Sequence, residues 1–504
     1  MASVSSVVIT VSKGVQRQQL TVPAGTLLSD ALRECRFAPS LPCGGCRRCG
    51  GCRVTVTGAV EPPSLEELRL LGDYASTMRL ACFTAVTGDC AVSLPDAGEA
   101  ILLDGVALPC AVTPREGMGI AVDIGTTTVA VYAFDLSDGR ELGRDAFANP
   151  QGPFGADVIS RITAAEGGAA HDLSAVMRDA LEAAFARLCP DVSALRQIVL
   201  TGNTAMLYLL LQRDIGGLAR VPFHADDPLG IALPAAQCGF ANLPSATVYF
   251  PPLISPFVGA DITCAMLPAF PDTEPEAPLL LMDIGTNGEM ALQYGDRILC
   301  CATAAGPAFE GVGIRCGCHA RTGAIHRVWA EDDTLRFETI GNAPANGLCG
   351  SGLIDAVAAL LELGWLDETG YLSTDSIRFG ASEVILTQED IRALQLAKAA
   401  ICAGVQVLLL RAGITANQVE HLLLAGGFGS GIRADSAAAI GLFPPELADR
   451  VQVIGNGAGM GACACLLSPE MRHRCSALVE RAQPLNLAED PAFMDLYVEA
   501  MLFE

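Results

Sequence analysis

Cys43, Cys49 and Cys52 stand in the run CGGCRRCGGCRV, and Cys82 follows in RLACFT. Their spacing is C-x5-C-x2-C, then 29 intervening residues to the last thiol. Three thiolates from one tight loop and a fourth from a distant strand make the donor set of a [2Fe-2S] cluster. Glycines at 44, 45, 50 and 51 suit it, because a residue without a Cβ lets backbone N–H groups approach bridging sulfides at little steric cost. Cys46 adds a further thiol inside the same ten residues, and short C-x2-C steps also fit zinc or, less well, a disulfide set. The spacing favours a [2Fe-2S] cluster on Cys43, Cys49, Cys52 and Cys82, with Cys46 a spare thiol.

A second chemistry is written twice. GIAVDIGTTTVAVYAFDL at 119–136 and LLLMDIGTNGEMALQYGD at 279–296 each run apolar strand, Asp-Ile-Gly-Thr, then a second strand, and such self-similarity predicts a duplicated fold. Asp123 or Asp283 ends the strand with a carboxylate, and Gly125 or Gly285 lets the chain double back. Hydroxyls and backbone N–H groups at Thr126, Thr127 and Thr128, or at Thr286 and Asn287, then face outward as a phosphate cradle with a carboxylate on the magnesium side. HLLLAGGFGSGI at 421–432 is a strand, a turn at Gly426, Gly427 and Gly429, and a helix; an ordinary strand-to-helix turn would read the same way.

Small residues also mark VLTGNTAMLYLLL around Asn203, AAGPAFEGVG at 304–313 and CGSGLIDAV at 349–357 as strand–helix junctions. Two Gly-Ala-Asp steps offer Asp157 and Asp261, for which helix N-caps are the preferred reading. No G-x-x-x-x-G-K-S/T occurs, and GNGAGMGA at 455–462 is only a loose dinucleotide motif. Cys300, Cys301, Cys316, Cys318, His319, Cys463 and Cys465 lack a fourth ligand at a suitable spacing and read as buried or free thiols and a lone histidine.

These groups need elements to hold them. Val7–Val11 and Gln18–Val22 alternate around a turn at Lys13 and Gly14 as a hairpin, and Thr26–Glu34 has helical spacing after a hydroxyl cap. A strand at Arg53–Thr57, a helix at Ser64–Leu71 and a strand at Cys90–Leu94 complete a small α+β unit. With 504 residues the chain exceeds one core, and the divisions expected are 1–96, a linker at 97–118, and lobes at 119–275 and 276–504. Twenty cysteines without a disulfide framework, no charge-free membrane-length apolar run and no signal-peptide layout predict a cytoplasmic protein without a membrane partner. A net charge of -24 and no basic stripe exclude nucleic acid as a partner.

Residues 1–96 resemble the β-grasp ferredoxins at CGGxxxCGxCRV and RLAC, with the first cysteine gap one residue longer than in the plant type. The paired loops and HLLLAGGFGSGI resemble the acetate and sugar kinase, heat-shock chaperone and actin superfamily. That likeness implies two ribonuclease-H-like lobes closing on ATP and Mg2+, with the glycine turn holding the adenosine. The combination resembles the reductive activators of corrinoid-dependent methyltransferases over nearly the whole chain, including NPQGPFGADVISRI and TGNTAM.

The fold implied is α+β and α/β multidomain, an N-terminal β-grasp [2Fe-2S] ferredoxin-like domain followed by a duplicated ATPase. The activity implied is ATP-dependent reduction of a Co(II) corrinoid protein to Co(I), fed by an upstream low-potential electron donor. Two features depart from the pattern. The short linker leaves no room for the separate middle domain some relatives carry, which puts in doubt any homodimer contact made through it. Arg47 stands where a glycine is common. A small-molecule kinase, or an electron-transfer scaffold with a vestigial ATP site, are the competing readings.

Overall fold

A computed structural model describes residues 6–13, 16–33, 35, 47, 52–71, 78–94, 110–429 and 431–503. Cys43, Cys46 and Cys49 lie outside the described residues. Two compact units emerge: Met1–Gly98 with Pro150–Val176, and Glu99–Asn149 with Met177–Glu504.

In the first unit, β1 (Ser6–Lys13) and β2 (Gln16–Pro23) form the expected hairpin, followed by α1 (Leu28–Arg33). Next come β3 (Arg53–Val60), α2 (Leu65–Leu71), β4 (Arg79–Leu80) and β5 (Val86–Ser93). They make one five-stranded sheet in the order β2-β1-β5-β3-β4, with β1 and β5 parallel. Alternation along β1 buries Val7, Ile9 and Val11 against Leu28, Leu32 and Val92. The two-residue β4 is too short for a sequence pattern to reveal. Buried Glu67 fixes it, accepting from Leu80 N at 2.9 Å and, bidentately, from Arg79 Nε and Nη2 at 2.9 and 3.0 Å. The second segment of this unit holds α3 (Val158–Ala164), capped by Asp157, and the start of α4 (Ala170–Leu188). Asp157 accepts from Ser160 N at 2.7 Å, which is the cap expected of it.

The second unit opens with the meander β6 (Met118–Ile124), β7 (Thr128–Asp135) and β8 (Glu141–Ala148). It continues through β9 (Leu195–Gly202), α5 (Thr204–Leu211), α6 (Gly216–Ala219), β10 (Leu229–Pro234), β11 (Thr247–Pro252) and α7 (Ala260–Ala269). The second lobe begins again with a meander, β12 (Leu279–Ile284), β13 (Gly288–Tyr294) and β14 (Arg297–Thr303). A small sheet follows, β15 (Ala324–Glu331), β16 (Thr334–Thr339) and β17 (Gly347–Leu348), then α8 (Gly350–Glu362) and the pair β18 (Ser376–Arg378) and β19 (Ile385–Thr387).

Helix α9 (Gln388–Ala412) leads to β20 (His421–Ala425), α10 (Gly426–Gly429), α11 (Ala434–Ala439), β21 (Val451–Gly455) and α12 (Gly457–Leu467). The chain closes with α13 (Pro469–Arg481), β22 (Ala482–Pro484) and α14 (Phe493–Glu499). Among the described residues α9 is long and apolar enough to cross a membrane, but it packs as the core helix of its lobe with 78% of its most apolar window buried.

The duplication is visible in the sheets. One runs β10-β11-β9-β6-β7-β8 and the other β21-β20-β12-β13-β14-β22. In each, the Asp-Ile-Gly-Thr strand is central, pairs antiparallel with the next strand of its meander and parallel with a later strand, β9 or β20. Both turns therefore project from the C-terminal ends of parallel strand pairs, where open α/β sheets place ligands.

Candidate active site

One cavity of about 470 Å³ gathers both turns and the glycine motif. Gly125, Thr126, Thr127 and Thr128 line it from one lobe, and Gly285, Thr286 and Asn287 from the other. Each turn is braced. Asn149 Nδ2 donates to Gly125 O at 2.7 Å, and Asn203 Nδ2 donates to Thr126 Oγ1 at 3.1 Å. Asn203 also caps α5, accepting from Met206 N at 3.0 Å. Opposite, Gly285 N donates to Asn287 O at 2.8 Å and Thr286 Oγ1 to Glu310 Oε1 at 2.8 Å.

Gly426 and Gly427 line the cavity, whereas Gly429 is buried near Leu424 and does not. A Cβ at Gly426 would lie 2.3 Å from Asp283 Oδ1, and its φ of +84° is one that side chains disfavour. Gly426→Ala should therefore displace the Asp283 carboxylate and abolish nucleotide hydrolysis. A phosphate-release assay that finds unaltered turnover would contradict this placement.

Five carboxylates line the cavity: Glu310, held by Thr286, and the group Asp123, Asp261, Asp283 and Glu289. Among the described residues no lysine or arginine lines it. Burial pushes Asp123 up to about 7, with Asp283 adding repulsion and Asn456 opposing the shift. Asp261 rises to about 8 and Asp283 to about 6, both chiefly through burial. Glu289, only 8% exposed, is pushed well above the usual range by burial and then by Asp261 and Asp283. Such a cluster favours either shared protons or a bound cation.

Glu289 and Glu310 are additions to the sequence reading, and Asp261 changes role. The cap of α7 is Gly259, two residues earlier than expected, so Asp261 falls inside the first turn and reaches the cavity. Its expected role as an N-cap is thereby corrected. Glu289 sits directly opposite Asp283 in the β12–β13 pair, a like-charge arrangement that costs stability when both are ionised. GNGAGMGA also joins this site: Asn456 and Ala458 line the same cavity, and Asn456 caps α12 while donating to Tyr132 Oη at 3.2 Å.

In the other unit, Cys52 and Cys82 are 3% exposed with Sγ atoms 3.3 Å apart. Two thiolates on one tetrahedral metal with bonds of ~2.3 Å stand about 3.8 Å apart, so the pair fits a shared iron with a small adjustment. Arg47 takes a φ of +60°, which explains why a glycine is easily accommodated there. Its Nε donates to Cys82 O at 3.0 Å and its guanidinium lies 5.1 Å from the Phe83 ring centroid.

Comparison with known proteins adds the lineage. A family model described as the RACo middle region matches residues 118–269, and one described as the C-terminal domain of RACo, the ASKHA domain, matches 277–504. The region named as the middle of that family thus coincides with the first sheet lobe here. Over 418 residues the chain is 35% identical to the corrinoid activation enzyme RamQ of Eubacterium limosum, covering 76% of this chain and 70% of the relative. It is 28% identical over 373 residues to a Co(II) methylated amine-specific corrinoid protein reductase of Methanosarcina barkeri, covering 67% and 68%. The solved structure of a reductive activator for corrinoid, iron-sulfur protein matches with a TM-score of 0.69 and 26% identity, over 99% of this chain and 98% of that one. With paired Asp-Ile-Gly-Thr turns meeting in one cavity and a curated relative matched over most of both lengths, the chain belongs to the family of reductive activators of corrinoid proteins.

Proposed function

We propose that this protein reduces an inactive Co(II) corrinoid protein to Co(I), using ATP bound between its lobes and an electron passed through the N-terminal unit from a low-potential donor. The observation that carries the reading is the meeting of both Asp-Ile-Gly-Thr turns with Gly426 and Gly427 in a single acid-lined cavity, on a chain of this lineage. Backbone N–H groups and the hydroxyls of Thr126 and Thr286 would hold phosphates, and the glycine turn would admit the nucleoside. Asp123, Asp261, Asp283 and Glu289 would hold Mg2+ and, without it, share protons among themselves. Cys43, Cys49, Cys52 and Cys82, on a ferredoxin-like β-grasp sheet, would hold the [2Fe-2S] cluster. When bound, these groups supply a one-electron relay and a counter-charge for the phosphates.

Two experiments test it. ATP hydrolysis by the reduced protein should rise severalfold on adding a Co(II) corrinoid protein, because a partner that prefers the closed lobes shifts their population. Hydrolysis indifferent to every corrinoid protein tried, with phosphorylation of a small hydroxylated compound or carboxylate instead, would favour a kinase. Separately, Cys43→Ala, Cys49→Ala, Cys52→Ala and Cys82→Ala should each remove the visible chromophore and the bound iron, while Cys46→Ala keeps both. Iron lost from Cys46→Ala but retained in Cys43→Ala would refute the ligand assignment.

A further inference from the structure

Cys264 on α7, Cys465 on α12 and Cys475 on α13 are each wholly buried, and their Sγ atoms all lie within 4.8 Å of one another. The Cys465 and Cys475 sulfurs are 3.5 Å apart. Three thiolates bonded at ~2.3 Å to one ion would be about 3.8 to 4.0 Å apart, in tetrahedral or trigonal geometry, so these separations bracket what a single ion requires. Among the described residues this is the one trio of cysteine, histidine or carboxylate ligand atoms so grouped. Cys300 and Cys301, by contrast, are equally buried but adjacent on β14, so they face opposite sides of the sheet.

The surroundings suit a cation-binding thiolate cluster. Thr201, fully buried on β9, borders Cys264, and its Oγ1 makes no other hydrogen bond. Arg472 Nε donates to Cys465 O at 2.7 Å, and its guanidinium lies 4.7 Å from the Tyr249 ring centroid. That positive charge offsets the cost of holding sulfur anions away from water. Hydrogen bonds with Cys264 and Cys475 draw the Cys465 thiol down, while burial pushes Cys264 up and the hydrogen bonds with Cys264 and Cys465 push Cys475 up.

We propose that Cys264, Cys465 and Cys475 form a site for a thiophilic d10 cation, Zn(II) or Cu(I), that fastens α12 and α13 to α7. Coordination displaces thiol protons to solvent and leaves the metal's oxidation state unchanged. The position gives the fastening a consequence. Helix α7 follows the first lobe's sheet in the chain and α12 follows β21 of the second, and they pack so closely that a Cβ at Gly461 would lie 2.1 Å from Cys264 O. An ion held there pins the seam about which the lobes would move. Zn(II) would take the three sulfurs with Thr201 Oγ1 as a fourth donor, whereas Cu(I) is satisfied by three sulfurs.

The test uses the full-length protein with its cluster intact, titrated anaerobically with Zn(II) or with Cu(I), and the variants Cys264→Ser and Cys475→Ala. Thiols of the N-terminal loop are common to all three proteins and cancel in the comparison. The expected result is one tightly held equivalent in the natural chain for one of the two ions, at least about tenfold weaker binding in both variants, and X-ray absorption at that metal's edge with three sulfur neighbours. A metal-induced rise in unfolding temperature should accompany it and vanish in the variants. Absence of a stoichiometric equivalent of either ion in the natural chain, or equal binding by the variants, would overturn the proposal. The first outcome needs no variant to fold.

Discussion

Asp123→Asn and Asp283→Asn should each cut ATP hydrolysis by at least about a hundredfold, while leaving the nucleotide-free protein as stable as the natural chain or more so. The loss follows from position, since each carboxylate ends a strand at a phosphate-type turn and faces the cavity. The stability gain follows from charge. A carboxyl group whose pKa is higher in the fold than its unfolded value of about 4 contributes stability below that value and loses it as pH rises through the folded one. For Asp283 the decline ends near about 6, for Asp123 near about 7 and for Asp261 near about 8. Stability of the nucleotide-free protein should therefore fall from mildly acid to mildly alkaline pH, and each amide should flatten part of that fall. Thermal unfolding across this range, without magnesium or nucleotide, reads it directly. Variants that are both inactive and less stable at every pH would mean that the carboxylates hold the fold together instead of straining it.

Much of this was legible in the chain because the decisive spacings are local. The cysteine run and both Asp-Ile-Gly-Thr turns are short enough to read without knowing the fold, and the alternation of β1 and β2 gave their hairpin. What escaped was set by register or by distance. Glu289 faces Asp283 only because β12 and β13 pair with Gly288 opposite Ile284. In the first copy Asp123 faces Ala130, so the duplication itself gave no hint of a second acid. Glu310 reaches Thr286 from 24 residues away, out of a glycine-rich stretch whose sequence signal is its small residues alone. Asp261 was misplaced because Gly-Ala-Asp before a helix looks like a cap, and a shift of two residues turns the carboxylate into the cavity. Arg47 was visible as a departure, but its bond to the Cys82 carbonyl needed the fold.

The second large effect concerns coupling. Plant-type clusters have potentials of about -400 mV; with a cluster of that type here and a Co(II)/Co(I) couple lower still, the electron would have to move uphill. A gap of ~100 mV costs about 2.3 kcal/mol, a factor of about 50 against Co(I). Neither unit would remove that cost by itself: the N-terminal sheet would supply the electron and the acid-lined cavity the free energy of the nucleotide. Two lobe arrangements that differ by a few kcal/mol in affinity for the partner, interconverted by ATP binding and hydrolysis, would suffice.

The most direct measurement mixes the reduced protein with a Co(II) corrinoid protein and follows the Co(II) and Co(I) absorption bands by stopped flow, with and without Mg-ATP. The account requires little Co(I) without nucleotide, and at least about tenfold more with it. That gain should be absent in Asp283→Asn even though its iron-sulfur spectrum is unchanged. Full Co(I) formation without nucleotide would contradict it.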